Sequence, residues 1–343
     1  YKNMKNKISN RDLSSARANK KDEFYTQLSD IEKELKHYKD HFKDKIVYCN
    51  CDDPRVSNFF HYFSYNFEKL GLKKLITTCY KNQDMDLFSQ NNSERAIYLE
   101  YTGDKNKNNI PDKNEIEVNY LKGDGDFRSQ ECINLLKQAD IVVTNPPFSL
   151  FREYVAQLFE YKKQFLIIGN INAVSYKEIF KLFKENKIWL GASIHSGDRE
   201  FGVPDYYPLN AAGVRIDENG KKYIRVKGVR WFTNLDYKER HEDLILYKKY
   251  TPEEYPKYDN YDAINVDKTS EIPMDYDGAM GVPITFLDKY NPEQFEILSS
   301  NDIRINENVP FKEHGLIKDK EGAINGKPKY VRIVIRNKKF KKG

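Results

Sequence analysis

The stretch Asp140-Ile141-Val142-Val143-Thr144-Asn145-Pro146-Pro147-Phe148 decides the fold. Its apolar run, 141–144, is typical of a buried strand. Two successive prolines cannot continue a central strand or a helix interior, so the backbone leaves the sheet at the carboxyl end of this strand. Open α/β sheets bind their ligands at that edge. The sequence therefore predicts a rigid corner of a binding site, the Pro-Pro corner, formed by Asn145, Pro146, Pro147 and Phe148.

The Pro-Pro corner suits a planar base with an amino group, such as adenine. That amine is a poor nucleophile, because its lone pair is delocalised into the ring. The side-chain oxygen of Asn145 and the carbonyl of Pro146 can each accept a hydrogen from it, which favours the pyramidal amine and aims its lone pair at an electrophilic methyl group. Phe148 can stack on the base. The alternative is that this stretch is an ordinary loop that contains two prolines. We predict instead that all four residues have a catalytic role.

Strand and helix alternate on both sides of this stretch, from residue 46 to residue 193. Such alternation predicts an α/β fold, with a mostly parallel, Rossmann-like sheet and helices on both faces. A polar loop joins two further strands into a hairpin. The predicted strands are 46–49, 75–79, 96–102, 116–121, 141–144 and 165–168, and the predicted helices are 28–42, 56–70, 130–138, 150–161 and 176–183.

The pattern changes after residue 196. A turn at 217–220 predicts a hairpin of 210–216 with 222–226, and the run 244–247 is expected to close the sheet. From residue 251 the chain is rich in Pro, Asp and Tyr, with a terminal strand at 330–336. We predict a catalytic domain at 22–250 with DNA-contacting insertions around 196–230, and an irregular target-recognition region at 251–343. Residues 1–21 hold seven Lys or Arg and one acid, which indicates a disordered tail or a basic arm that orders on phosphates.

Three more stretches accompany the Pro-Pro corner: 22–32, DEFYTQLSDIE; 48–60, YCNCDDPRVSNFF; and 281–287, GVPITFL. Together they resemble the EcoRI-type adenine-specific DNA methyltransferases, over roughly residues 22–336. The resemblance implies transfer of a methyl group from S-adenosylmethionine to N6 of adenine in a short duplex site. It also implies a monomer of restriction-modification type, paired with a cognate endonuclease that acts on the same site without direct contact. The target amine is buried in duplex DNA, so the base must flip out.

The cofactor S-adenosylmethionine needs carboxylates at strand ends for its ammonium, ribose and adenine groups. Asp52 and Asp53 follow the first strand, and 53–57 resembles the family's cofactor loop, although the glycine-rich turn common in methyltransferases is absent. The loop 123–127 resembles the adenine-binding loop, with Asp124 the favoured acceptor. No acid directly ends the second strand, which leaves the ribose ligand open. The predicted cofactor residues are Phe24, Tyr25, Thr26, Asn50, Asp52, Asp53, Tyr80, Asp124, Asp126 and Phe127.

Sequence readout of duplex DNA commonly uses Arg and Lys in the major groove, although most surface cations contact phosphate or solvent. A basic cluster lies at 199–230, after the alternating strands and helices. The predicted DNA contacts in it are Arg199, Lys221, Lys222, Arg225, Lys227 and Arg230.

Composition limits the function classes. The chain has 57 Lys and Arg against 52 Asp and Glu, a net charge of +5, which permits nucleic-acid binding without requiring it. Its four cysteines form no Cys-x-x-Cys pair, and His37 and His41 have no third ligand beside them, so we expect reduced thiols and no metal site. No apolar run approaches the length of a membrane span, and no signal peptide is visible. We therefore expect a cytoplasmic protein with no membrane partner.

Two alternatives stay open. The same pocket could methylate adenine in RNA or a glutamine side chain in a protein. A non-catalytic DNA-binding protein could also retain the fold, although intact Asn145 and Phe148 argue against it.

Overall fold

The computed structural model describes residues 24–51, 57–78, 96–112, 114–203, 213–260, 262–300, 322–330 and 332–340. Its strands are β1 Ile46–Cys49, β2 Lys74–Thr78, β3 Ile97–Tyr101, β4 Ile116–Tyr120, β5 Ile141–Thr144, β6 Gln164–Asn170, β7 Trp189–Leu190, β8 Asp198–Val203, β9 Val214–Ile216, β10 Lys222–Lys227, β11 Val229–Thr233, β12 Ile264–Asn265, β13 Met280–Pro283, β14 Phe295–Ser300, β15 Ala323–Ile324, β16 Lys327–Pro328 and β17 Arg332–Asn337.

The α-helices in the described part are α1 Leu28–Leu35, α2 Asn58–Tyr65, α3 Phe67–Leu70, α4 Gln130–Gln138, α5 Phe151–Glu160 and α6 Lys177–Lys184. Short 3₁₀ turns lie at Lys39–His41, Phe148–Leu150, Ile171–Ser175, Lys238–His241, Thr269–Glu271 and Ile284–Lys289. The chain divides into two compact units. The first unit comprises Tyr1–Asn170 and Ser196–Val229, and the second comprises Ile171–His195 and Arg230–Gly343. The second unit therefore starts before the predicted boundary near residue 250.

The first unit is built on a mixed sheet in which six strands follow the order β4-β3-β2-β1-β5-β6. The pairings of β1 with β2, β1 with β5 and β5 with β6 are parallel, whereas β3 pairs antiparallel with β2 and with β4. The predicted α/β class is confirmed, but the sheet is mixed rather than mostly parallel, because β3 and β4 form an antiparallel hairpin beside β2. The strand order reverses direction between β1 and β5, which is the point where open α/β sheets hold their ligands.

A smaller antiparallel sheet of the first unit, the hairpin sheet, has the order β8-β10-β9. Arg225 pairs with Glu200, and Tyr223 pairs with both Gly202 and Arg215. Because side chains alternate along a strand, these residues share one face of the sheet. The opposite face carries Phe201, which is 2% exposed. The predicted hairpin before and after 217–220 is present, with a third strand added.

The predicted helix at 56–70 is two helices, α2 and α3. Ser57 caps α2, since its hydroxyl accepts from the N–H groups of Phe59 and Phe60. Asn66 separates the helices, and its side chain donates to the carbonyl of Tyr62, a local bond that competes with regular helix. Gly71 ends α3 with a φ of 64°, which glycine adopts without a Cβ clash.

The predicted helix at 28–42 was also too long. The α-helix ends at Leu35, and the 3₁₀ turn Lys39–His41 follows it. Leu35, Tyr38 and Phe42 are all fully buried. The apolar spacing therefore identified the buried side of this segment but not the end of its helix.

The second unit contains an antiparallel pair of β7 and β11, and a four-stranded sheet of order β12-β13-β17-β14. The region predicted to be irregular thus holds a regular sheet, with the terminal strand β17 between β13 and β14. The predicted strand at 244–247 is wrong. Both the N–H and the carbonyl of Leu244 bond to the side-chain amide of Gln294, which takes the place of a neighbouring strand. Ile245 is 87% exposed beside it.

Candidate active site

The Pro-Pro corner lies at the edge of the sheet where two central strands end. Strands β1 and β5 are parallel neighbours, with Tyr48 beside Val142. Asn50 follows β1 and Asn145 follows β5, so both leave the sheet at the same edge. The predicted position of the corner, at the end of a buried strand, is confirmed.

Asn145 is 6% exposed, and its two amide atoms have different surroundings. The Nδ2 atom donates to the carbonyl of Phe24 at 2.7 Å. The Oδ1 atom is buried and has no hydrogen-bond partner. A buried acceptor without a partner costs about 1–3 kcal/mol, so such groups need an explanation, and a ligand that donates is one. The amide presents a single acceptor to an amino-bearing group.

The two prolines and Phe148 turn the chain from β5 into helix α5. Pro147 is extended, and its carbonyl accepts from the N–H of Leu150 at 3.0 Å in the 3₁₀ turn that begins at Phe148. Phe148 is half-buried, and its ring meets the ring of Phe24 edge to face, with centroids 5.9 Å apart. Packing against Phe24 therefore holds Phe148, three residues after Asn145.

Residues 24–26, the clamp segment, contact the Pro-Pro corner through the carbonyl of Phe24, which accepts from Asn145. Tyr25 forms a two-bond bridge with Gly202 of β8, at 2.7 and 2.9 Å. The carbonyl of Thr26 accepts from Asn58 at 2.7 Å. The Thr26 side chain is 1% exposed, and its hydroxyl has no partner. Sequence reasoning singled out 24–26 but missed Asn58, although it lies in the quoted stretch 48–60, and Gly202, which lies in no motif.

The end of β1 is held from helix α5. Tyr154 donates a short hydrogen bond to Oδ1 of Asn50, and both side chains are buried. Burial raises the pKa of Tyr154 well above its usual range, so the phenol keeps the proton that it donates. Cys51 has a φ of 74°. At this turn Cys51 adopts the left-handed conformation that glycine adopts more readily. It does so where methyltransferases commonly have a glycine-rich turn, which this sequence lacks.

The loop 123–127 separates its two acids. Asp126 binds Arg128 through both carboxylate oxygens, and this pairing raises the pKa of Arg128. Asp124 is half-buried, and one of its oxygens accepts the N–H of Asp126. Phe127 is buried, packing edge to face on Tyr154. Asp124 therefore remains the better acceptor for a ligand. Three other predicted cofactor residues, Asp52, Asp53 and Tyr80, lie outside the described residues.

Four of the six predicted DNA contacts lie on the two faces of the hairpin sheet, and a fifth lies in its turn. Arg225 and Lys227 are exposed on the outer face, with Lys221 exposed in the turn. Arg199 lies on the inner face, with Nε 4.0 Å from Asp30, and Lys222 is half-buried there. Sequence reasoning missed Arg215.

Arg215 belongs to the outer face with Arg225. Its guanidinium binds Glu200 through two hydrogen bonds, at 2.9 and 2.7 Å, and lies over the ring of Tyr223. The bond from Arg215 lowers the pKa of Glu200, which stays ionised. The outer face therefore combines cations with an aromatic ring.

Arg230 was predicted to contact DNA, and the structure contradicts this. It is 3% exposed, and its guanidinium binds both oxygens of Asp288 at 2.6 and 2.9 Å. A third bond runs to the carbonyl of His195 at 2.6 Å. Burial raises the pKa of Asp288, while Arg230 opposes the rise. The prediction rested on the many basic residues in the sequence around residue 230. Their number does not show which arginine forms a buried ion pair.

The family model for the adenine-specific methyltransferase EcoRI matches residues 12–338. The chain belongs to the EcoRI adenine-specific methyltransferase family. As a member of the EcoRI family, it is an enzyme, an adenine-specific methyltransferase. Three type II methyltransferases are similar to it over almost the full chain.

The first relative is the type II methyltransferase M.EcoRI of Escherichia coli, 52% identical over 341 residues, with 99% of this chain and 100% of the relative covered. M.MgeORF184P of Mycoplasma genitalium is 39% identical over 334 residues, covering 95% and 98%. M.MpnI of Mycoplasma pneumoniae is 39% identical over 333 residues, covering 94% and 97%. No solved structure gives a significant match.

None of the helices in the described part of this EcoRI-family chain is long and apolar enough to cross a membrane. The same part holds no group of three or more His, Cys, Asp or Glu side chains placed to bind a metal ion.

Proposed function

We propose that the chain transfers a methyl group from S-adenosylmethionine to N6 of an adenine that is flipped out of a short duplex DNA site. The observation that carries this proposal is the amide of Asn145. Its Oδ1 is a buried acceptor without a partner, while Nδ2 is held by Phe24. An adenine amine is a donor that fits this acceptor.

The Pro-Pro corner supplies the rest of the base site. With Asn145 Oδ1 and the Pro146 carbonyl as acceptors, both amine hydrogens are bound, and the nitrogen lone pair turns out of the ring plane. The ring of Phe148 stacks on the base, a contact worth about 1–3 kcal/mol. These residues orient the amine. Its proton becomes acidic once the nitrogen has been methylated and then passes to solvent water. No strong base is needed before transfer.

S-adenosylmethionine supplies the electrophilic methyl group when it is bound. The described residues fit that cofactor at three points around the ends of β1 and β5. Thr26 offers a buried hydroxyl without a partner, Asn50 is anchored by Tyr154 where β1 ends, and Asp124 offers a carboxylate for an amine. We propose Asp52, Asp53 and Tyr80 as further contacts, on the strength of the sequence resemblance.

We propose that the outer face of the hairpin sheet contacts the duplex. Arg225 and Lys227 are exposed there, and Lys221 extends the basic surface into the turn. Basic side chains bind phosphates and purine edges, and Tyr223 adds an aromatic surface. The inner face of the same sheet contacts the site, since Phe201 packs against Phe24 with centroids 5.9 Å apart.

The biological setting is proposed from the family and its relatives. A type II methyltransferase modifies the site that a cognate endonuclease cleaves. We propose such a pair here, with the methyltransferase acting as a monomer in the cytoplasm, where the host DNA lies. The arm at 1–21 and the region 251–343 are proposed to bind the duplex as well.

The test is transfer of labelled methyl groups to a plasmid, followed by sequencing of the modified positions. We expect N6-methyladenine at one short sequence. Parallel reactions with RNA and with protein address the alternatives, and calorimetric titration of S-adenosylmethionine addresses a non-catalytic protein. Label in RNA or protein but not in DNA would overturn the proposal.

Replacing Asn145 with Ala should lower the rate of methyl transfer at least about 100-fold, because the buried acceptor for the amine is lost. The dissociation constants for DNA and cofactor should change little, since other residues provide most of that binding. Asn134→Ala is the matched control, because Asn134 is an exposed asparagine on α4. A near wild-type transfer rate in Asn145→Ala would remove this residue from its proposed role.

A further inference from the structure

We propose that the clamp segment, residues 24–26, positions the catalytic amide of Asn145 through the main-chain carbonyl of Phe24. This inference rests on the proposed function and adds to it a group that sets which amide atom faces the substrate. The segment lies 121 residues from Asn145 in sequence, so only the tertiary structure brings them together.

The chemistry of the contact fixes the orientation of the amide. A carbonyl oxygen accepts hydrogen bonds and cannot donate them, so the atom of Asn145 that faces Phe24 must be Nδ2. The distance of 2.7 Å is that of a well-formed bond. If the amide were rotated by half a turn, two oxygens would meet. The Phe24 carbonyl therefore keeps Oδ1 directed away from the segment, where the substrate amine can reach it.

Every carbonyl of the clamp segment is bound by a different element. Phe24 accepts from Asn145 after β5, Tyr25 accepts from the N–H of Gly202 in β8 at 2.9 Å, and Thr26 accepts from Asn58 at the start of α2 at 2.7 Å. Three bonds on three successive residues leave the Phe24 carbonyl little freedom. Preorganisation of this kind spares the amide from reorienting during the reaction.

The ring of Phe24 adds packing to these bonds. It contacts Phe148 at 5.9 Å and Phe201 at 5.9 Å between ring centroids. The same residue thus touches the side chain proposed to stack on the base and, through its carbonyl, the side chain proposed to bind the amine. A shift of the segment would therefore displace both substrate contacts together.

Gly202→Pro tests the segment through its bridge to β8. Proline at 202 has no N–H to donate to the carbonyl of Tyr25, and that N–H points away from β10, so the hairpin sheet keeps its own pairing. Gly202→Ala keeps the N–H, and its Cβ would meet Tyr25 at 3.4 Å, an ordinary contact. Asn58→Asp is a second, nearly isosteric variant, which removes the donor to Thr26 and suits a helix N-terminus.

We expect Gly202→Pro to lower kcat about 10- to 100-fold, because a small displacement of the amide misaligns the amine. Gly202→Ala should keep kcat within about 3-fold of wild type, and Asn58→Asp should lower kcat. The KM for DNA should change by less than about 3-fold in all three variants, since the affected interaction aligns the bound amine. Assays at saturating S-adenosylmethionine separate this effect from any change at Thr26, which is a proposed cofactor contact.

Two results would overturn the inference. One is wild-type kcat in both Gly202→Pro and Asn58→Asp. The other is a fall in kcat that is accompanied by a comparable rise in KM and by a lower melting temperature in these variants. That result would mark the segment as structural support only. A wild-type protein that transfers no methyl group to DNA would instead refute the proposed function, so the two failures are distinguishable.

Discussion

At the scale of single residues, the chain treats its buried polar groups in two ways. Asn145 keeps one buried acceptor without a partner, and this unsatisfied atom is the best evidence for a donor ligand. Arg230 and Asp288 are the opposite case, a buried pair whose side chains are each 4% exposed and joined by two hydrogen bonds. The first arrangement suits function and the second suits the structure of the second unit.

Replacing Arg230 with Met should lower the free energy of unfolding by about 3–5 kcal/mol, because Asp288 would be left buried without its cation. Lys268→Met is the control, since Lys268 forms an ion pair with Glu271 at the surface and should cost at most about 1 kcal/mol. Urea denaturation followed by circular dichroism measures both. Equal small losses would show that the Arg230 pair is worth no more than a surface pair.

At the scale of elements, the hairpin sheet has two chemically different faces. Phe201 and Ile224 lie on the inner face, where they are buried, and Phe201 packs against the clamp segment. Arg225 and Lys227 lie on the outer face. Successive side chains along β8 and β10 point to opposite faces of the sheet, which produces this division. One small sheet therefore supports the site on one side and exposes on the other the basic residues that we propose to contact DNA.

The double variant Arg225→Ala with Lys227→Ala should weaken DNA binding and make it less dependent on salt. If both side chains contact phosphates, the slope of log K against log salt should fall in magnitude by about 2. Fluorescence anisotropy of a labelled duplex at several salt concentrations measures the slope. Lys181→Ala with Lys184→Ala, on helix α6, removes the same charge and should leave the slope nearly unchanged. Equal slopes in both double variants would contradict a contact at the hairpin sheet.

At the scale of the whole molecule, charge is balanced closely, with a net charge of +5 on 343 residues. Stability against pH therefore depends on individual paired groups more than on overall repulsion. His241 is such a group, because it bonds to Asp236 at 2.8 Å and to Glu293 at 3.0 Å. The bond to Asp236, with that to Glu293, raises the pKa of His241.

Because its pKa is raised in the folded state, His241 stabilises the protein fully below its unfolded pKa of about 6.5. This contribution is lost as the pH rises through the folded pKa. The melting temperature of wild type should therefore exceed that of His241→Gln more at about pH 5.5 than at about pH 9. Thermal melts of both proteins at the two pH values measure this. A difference that is constant, or larger at high pH, would contradict the predicted sign.

The sequence by itself determined the local chemistry of this protein. Alternating apolar runs gave the α/β class, the two prolines after β5 gave the corner at the sheet edge, and Gly71 gave the end of a helix. These features depend on residues that are close in sequence, where backbone sterics and hydrophobic spacing decide the outcome. The resemblance of short motifs then indicated the family.

The tertiary structure decided which groups are satisfied and which remain available. Arg230 is buried against Asp288, Gln294 replaces a strand beside Leu244, and Phe24 orients Asn145 from 121 residues away. No local pattern encodes these pairings, because a hydrogen bond depends on the position of both partners in space. Long-range packing, through the same contacts that bury the core, therefore sets the state of each polar group in the site.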